Sequence, residues 1–155
     1  MEPVIKKLPE FCVVGVATFG EGGSGLFPKA WEMFLKMEKN VEWKYGTSAF
    51  GVEFYTEEFH KENKWFYMAC KEVKDFSSIP VNMVAKRIPQ HQYAVFACKG
   101  LSELGKTFQF AYKQWLPKSD YAMADSFDFE LYDERFKGAD NPDSVIDIYI
   151  PVKKR

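Results

Sequence analysis

Apolar and polar positions along the chain follow two periods, one of about two residues and one of three to four. Glu10 to Thr18 is rich in valine and predicts a strand. A glycine-rich loop, Gly20 to Gly25, separates it from Phe27 to Lys39, which predicts a helix. There Pro28 suits the first turn, and Trp31, Phe34 and Leu35 form one face. Ser48 to Tyr55 alternates, with Phe50, Val52 and Phe54 opposite Glu53 and Tyr55, and Trp65 to Val73 predicts a further strand. The polar stretch TEEFHKEN between them reads as a hairpin connection. After the turn-rich DFSSIPVNM, Ala85 to Gln90 leads into a strand over Gln92 to Lys99. A helix follows from about Ser102 to Trp115, closed by Leu116-Pro117. Phe127 to Asp133 and Val145 to Val152 are the last two strands. Pro151 lies near the end of its strand, where a missing ladder donor matters least.

The order is therefore strand, helix, strand, strand, given twice. FGVEFYTEEF from Phe50 and FDFELYDERF from Phe127 lie 77 apart (127 − 50), and five of their ten positions are identical, among them Glu53 and Glu130. Pro9 and Pro89 precede the first strand of each copy at an offset of 80 (89 − 9). Two copies are too few for a solenoid, which needs about three. The expectation is one α+β domain over residues 1–155, made of duplicated strand-helix-strand-strand modules (about 8–75 and about 88–152) with pseudo-two-fold symmetry and a central ligand cleft.

Composition narrows the function. Hydrophobic residues are 46% and charged residues 28%, enough for a core, while the 17% of aromatic residues exceeds what a small core requires. The net charge of -1, with a basic run only at Lys153, Lys154 and Arg155, argues against direct nucleic-acid binding. MEPVIKKLPEF carries no signal-peptide core, and no stretch is long enough to span a bilayer, so a cytoplasmic protein without a membrane partner is expected. Cys12, Cys70 and Cys98 are isolated within apolar runs and read as reduced core thiols. His60 and His91 have no paired metal spacing, so no metal and no cofactor are expected, and no GxSxG nucleophile elbow is present.

IPQHQYAVFACKG, YKQWLP, and FELYD followed by IYIPV stand in the order and spacing of the phrases typical of GyrI-like domains, and the duplicated first half matches that architecture. The chain thus resembles the GyrI-like effector-binding family, and is expected to be a stand-alone member without a DNA-binding helix-turn-helix region. The resemblance implies an aromatic ligand cleft in which Glu130, the glutamate of the FELYD phrase, faces the ligand. In some members of the family the same glutamate is the proposed catalytic group for hydrolysis of cyclopropane-bearing toxins.

A carboxylate among aromatic rings is costly unless it meets a donor or a cation. Glu130 therefore suits a cationic ligand, or a general-base role toward water. Alternation puts Asp128 and Tyr132 on the side of Glu130. Glu53 is the repeat partner of Glu130. Trp65 and Tyr67 share a strand face, Tyr112 and Trp115 a helix side, and Tyr149 lies in the last strand; these are the candidate ligand walls. Three functions follow: a binder of hydrophobic aromatic or cationic small molecules, a hydrolase using Glu130, or an inhibitor of a protein partner.

Overall fold

In a computed structural model describing residues 1–44 and 48–155, the chain is α+β with antiparallel strands. It divides into two compact units, one of residues 1–9 and 90–155 and one of residues 10–89. The second unit contains β2 (Phe11–Gly20), α1 (Leu26–Met37), β3 (Ala49–Phe54), α2 (Glu57–Glu62), β4 (Trp65–Val73) and β5 (Val84–Ile88). The first contains β1 (Val4–Leu8), β6 (His91–Lys99), α3 (Leu104–Phe110), a π-helical turn (Ala111–Trp115), α4 (Leu116–Lys118), β7 (Tyr121–Met123), β8 (Phe127–Tyr132) and β9 (Val145–Lys154).

Each unit is a ladder of the same design. In one, β3 pairs β4, β4 pairs β2, and β2 pairs β5. In the other, β8 pairs β9, β9 pairs β6, and β6 pairs β1, with β7 continuing along β9. The outermost strand of each ladder is the segment that precedes the first strand of the other copy. β1 runs through Pro9 into β2 but pairs with β6, and β5 runs through Pro89 into β6 but pairs with β2. The registers match: the pair Val4–Val95 becomes Val84–Gly15 under a shift of 80 (84 − 4 and 95 − 15). A proline at each crossing holds the chain extended where it leaves one ladder for the other.

The cores follow from alternation. In the second unit Val14, Val16, Tyr67 and Ala69 face α1, which buries Ala30 and Phe34 against them. In the first, Ala94, Phe96, Cys98, Ile148, Ile150 and Val152 face the helical segment that carries Ala111, Tyr112 and Trp115. Gly25, with φ of 85°, turns the chain into α1 in a conformation costly for other residues. Pro151 lies within β9, at the point where that strand leaves β8 and takes up β7. Its carbonyl accepts from the Ala124 amide 2.9 Å away, so the missing N–H falls in the gap between two partners.

The structure corrects four expectations. TEEFHKEN is not a plain hairpin connection but holds α2, with Thr56 at its N-cap, Glu57 and Glu58 in the first turn, His60 and Lys61 in the last, and Asn63 closing it in the left-handed region. β1 and β7 were not anticipated, and Ala85 to Gln90 is largely strand β5. The helix expected over Ser102–Trp115 changes winding at Ala111.

Candidate functional site

In the first unit the helix-covered face of β8 carries two carboxylates. Glu130 lies opposite Ile148, which lies opposite Phe96, so it sits in a row with two core residues. It is 3% exposed, and Asp128, two residues earlier and on the same face, is fully buried. Each carboxylate takes a tyrosine hydroxyl. Tyr132 donates to Glu130 Oε2 at 2.7 Å, and Tyr112, reaching down from the π-helical turn, donates to Asp128 Oδ2. Hydroxyl donors aimed at buried carboxylates offset part of their desolvation. The Cys98 thiol on the same face is pushed up, mainly by burial and in smaller part by the negative charges of Glu103 and Glu130.

The π-helical turn has a local role. Widening the helix lets Tyr112 reach Asp128 while Trp115 sets its ring edge-on to Phe96, 5.4 Å between centroids, and against Tyr121. Tyr149 is placed differently from the expectation. It stacks on Phe129 at 4.6 Å and 11°, and Phe129 is one residue from Glu130, so the Tyr149 ring lies on the opposite face of the ladder. Alternation alone carries this: Tyr149 is paired with Phe129, not with Glu130.

Trp65 and Tyr67 belong to the second unit, on the helix-covered face, together with Glu53. Glu53 is 7% exposed, and its Oε2 accepts from the Trp65 indole N–H at 2.5 Å. Tyr67, opposite Glu53 in the ladder, takes the indole N–H of Trp31 on its hydroxyl at 2.7 Å and stacks on Phe27 at 4.4 Å. Phe59 sits edge-on to Trp65 at 5.7 Å. The sequence marks Trp31 and Phe27 as helix residues and not as ligand-wall candidates, although their spacing of four puts them on one face.

The two glutamates are not equivalent when counted along the ladders. With Pro9 and Pro89 aligned, Val13–Glu72 corresponds to Tyr93–Pro151, and the pair Gly51–Ala69 then corresponds to Glu130–Ile148. The counterpart of Glu130 is therefore Gly51, and Glu53 lies two residues beyond it. The slip is even, so both carboxylates keep the helix-covered side.

An open groove of about 510 Å³ is formed in the first unit by Ile5 and its preceding residues, the helical segment around Phe110 and Trp115, and the turn through Tyr121. Of the candidate residues it takes only Trp115. Among the described residues no helix is long and apolar enough to cross a membrane.

Residues 4–152 match the family of integron-associated effector-binding proteins, Cass2. The transcriptional regulator BrlR of Pseudomonas aeruginosa is 32% identical across 98% of this chain, which spans 56% of that protein. The fold is shared with SAV2435 bound to tetraphenylphosphonium (TM-score 0.78, 15% identity, 99% of this chain and 94% of that one). It is also shared with the integron cassette protein Cass2 of Vibrio cholerae (TM-score 0.68, 16% identity, 98% and 96%). The duplicated ladder with a helix over each copy, matched over nearly its whole length, identifies the chain as a member of the integron-associated effector-binding family, GyrI-like domains that bind small molecules.

Proposed function

We propose that this chain binds hydrophobic aromatic cations, with Glu130 as the group that selects for positive charge. The observation that carries this reading is the pair of buried carboxylates, Asp128 and Glu130, side by side on one strand face and each held by a tyrosine hydroxyl. Two adjacent carboxylates in a poorly solvated setting repel each other, and a cation relieves that repulsion where a neutral ligand does not. The aromatic side chains around them add stacking and cation–π attraction. The bound tetraphenylphosphonium of SAV2435 is such a cation, held by a protein of the same fold.

The test compares tetraphenylphosphonium with neutral triphenylphosphine oxide by calorimetry. Glu130→Gln should weaken the cation by roughly ten- to a hundred-fold, the cost of about 1–3 kcal/mol for losing a partly buried ion contact, and leave the neutral compound nearly unchanged. Equal affinity of wild type and variant for the cation overturns the assignment.

A second reading rests on the Tyr132–Glu130 pair. A hydrolase needs a general base and a second polar group to hold its water, and these two side chains supply both within one hydrogen bond. If cyclopropane-bearing electrophiles are turned over, Glu130→Gln should cut turnover by about two to four orders of magnitude with substrate binding nearly intact. Absence of any product in the wild type removes this reading.

A further inference from the structure

The groove beside Trp115 lies outside the Glu130 neighbourhood and has its own chemistry. Its walls are the rings of Phe110, Trp115 and Tyr121 with Ile5 and Pro3, and its rim carries Glu2, Asp120 and Lys118. Trp115 and Tyr121 stack on each other, 5.9 Å between centroids at 21°, so they stand as one aromatic pair in the groove wall. At about 510 Å³ the space suits one small organic molecule.

Two observations say what kind of molecule. The first is the indole of Trp115. The other three tryptophans bond their indole N–H inside the protein, Trp31 to the Tyr67 hydroxyl, Trp43 to the Glu38 carbonyl and Trp65 to Glu53. Trp115 has no such acceptor among the described residues, so the groove wall keeps a donor available to a guest. The second is charge. The side chains of Glu2, Asp120 and Lys118 form no ion pair among the described residues, and together they leave the rim with one net negative charge. Arg155, the nearby cation, donates to the carbonyls of Tyr121 and Leu116 and forms no ion pair with either rim carboxylate among the described residues.

We propose that this groove is a binding site, separate from Glu130, for a flat aromatic cation that bears a hydrogen-bond acceptor. The guest's rings pack against the Trp115–Tyr121 pair, the acceptor takes the Trp115 indole N–H, and the carboxylates of Glu2 and Asp120 balance the positive charge.

The probe is N-methyl-6-methoxyquinolinium, a permanent planar cation with an ether oxygen. Its control is 6-methoxyquinoline, which is neutral at mildly alkaline pH. Titration of the full chain, followed by the four indole N–H signals in NMR, should move the Trp115 signal. The double variant Glu2→Gln, Asp120→Asn should weaken the quinolinium about ten-fold and leave the neutral control within roughly two-fold, as expected when only charge is removed. Gln114→Trp, which fills the groove from a side chain with no hydrogen bond of its own among the described residues, should abolish the Trp115 shift. Glu130→Gln should leave that shift in place, which separates this site from the one around Glu130. An unmoved Trp115 signal overturns the proposal. So does equal weakening of charged and neutral probes in the double variant, or a Trp115 shift that survives in Gln114→Trp.

Discussion

The hydroxyl of Tyr132 lies 2.7 Å from the carboxylate of Glu130, two residues back along the same strand and on the same face. The bond ties a half-buried phenol to an almost fully buried acid. Tyr132→Phe keeps the ring and removes one donor from a carboxylate that has already lost most of its water. The expected cost is about 1–3 kcal/mol of stability, the range for leaving a buried charged group short of a partner. Urea unfolding at neutral pH measures it. In a Glu130→Gln background the same change should cost less, because the amide is cheaper to leave unmatched. A Tyr132→Phe effect of equal size in both backgrounds shows that the hydroxyl does not serve the carboxylate.

Glycine at position 15 follows from close packing in the ladder. A Cβ there would stand 2.0 Å from the Ala69 carbonyl oxygen and 2.6 Å from the Cys70 Cα, both backbone atoms of the neighbouring strand. Neither can swing aside, so the strands must part. Gly15→Ala should therefore destabilise by about 3 kcal/mol or more, at the high end for overpacking. Thermal unfolding checks this, and a melting point within a few degrees of wild type contradicts it.

Much of the fold was legible because burial on one face leaves a periodic trace. β4 was read with its observed ends, Trp65 and Val73, and β8 and β9 to within one or two residues, since their apolar sets repeat between turn formers. β1 left no such trace. Its VIKKL has Lys6 and Lys7 where an inner strand would have apolar residues, as suits the outermost strand of a ladder, and it resembles a solvated leader. The exchange of β1 and β5 between the copies is a long-range pairing that no local pattern encodes. The site was legible in part. Glu130, Tyr132 and Asp128 share a face by simple alternation. The partnership of Tyr112 with Asp128 depends on a π-helical turn, and the motif offset of 77 hid the two-residue slip that sets Glu130 opposite the place of Gly51 in the other ladder.

Arg135 predicts a pH dependence. Its guanidinium makes three bonds to the Asp133 carboxylate, at 2.7, 2.9 and 3.1 Å, and reaches Asp147 on β9 at 2.8 Å. The hydrogen bonds from Arg135 hold the Asp133 carboxyl below its ordinary value. A carboxylate with a depressed folded value stabilises the native state above its unfolded value, near 3.9, and that contribution is lost as pH falls through the folded value. Arg135→Met should therefore lower the melting temperature at neutral pH, and the difference should shrink as the pH falls through the depressed folded value of Asp133 and the carboxylate is lost. The Arg135 side chain is 41% exposed, so solvent and salt weaken the effect. Melting curves from acid to neutral pH test it, and a difference between the two proteins that stays constant across the range rules it out.

The last prediction concerns Trp65 and Glu53. The indole N–H meets the Glu53 carboxylate at 2.5 Å, and the benzo ring of the same indole lies against the glycine-rich loop, where a Cβ on Gly22 would come within 2.7 Å of it. Trp65→Phe thus removes both a charge-assisted hydrogen bond and the surface on which the loop rests. The expected loss is about 2–4 kcal/mol, combining a hydrogen bond to a charged group with the lost part of a large ring. Glu53→Gln keeps the packing and an acceptor oxygen but removes the charge, and should cost less. The two side chains touch, so their effects should not add. The double variant should be more stable than the sum of the single losses implies by about 1 kcal/mol or more, because the second change removes an interaction the first has already broken. Denaturant unfolding of the four proteins measures the coupling. Additive losses would mean that Trp65 is held by its packing alone and that the carboxylate of Glu53 takes its stabilisation from other neighbours.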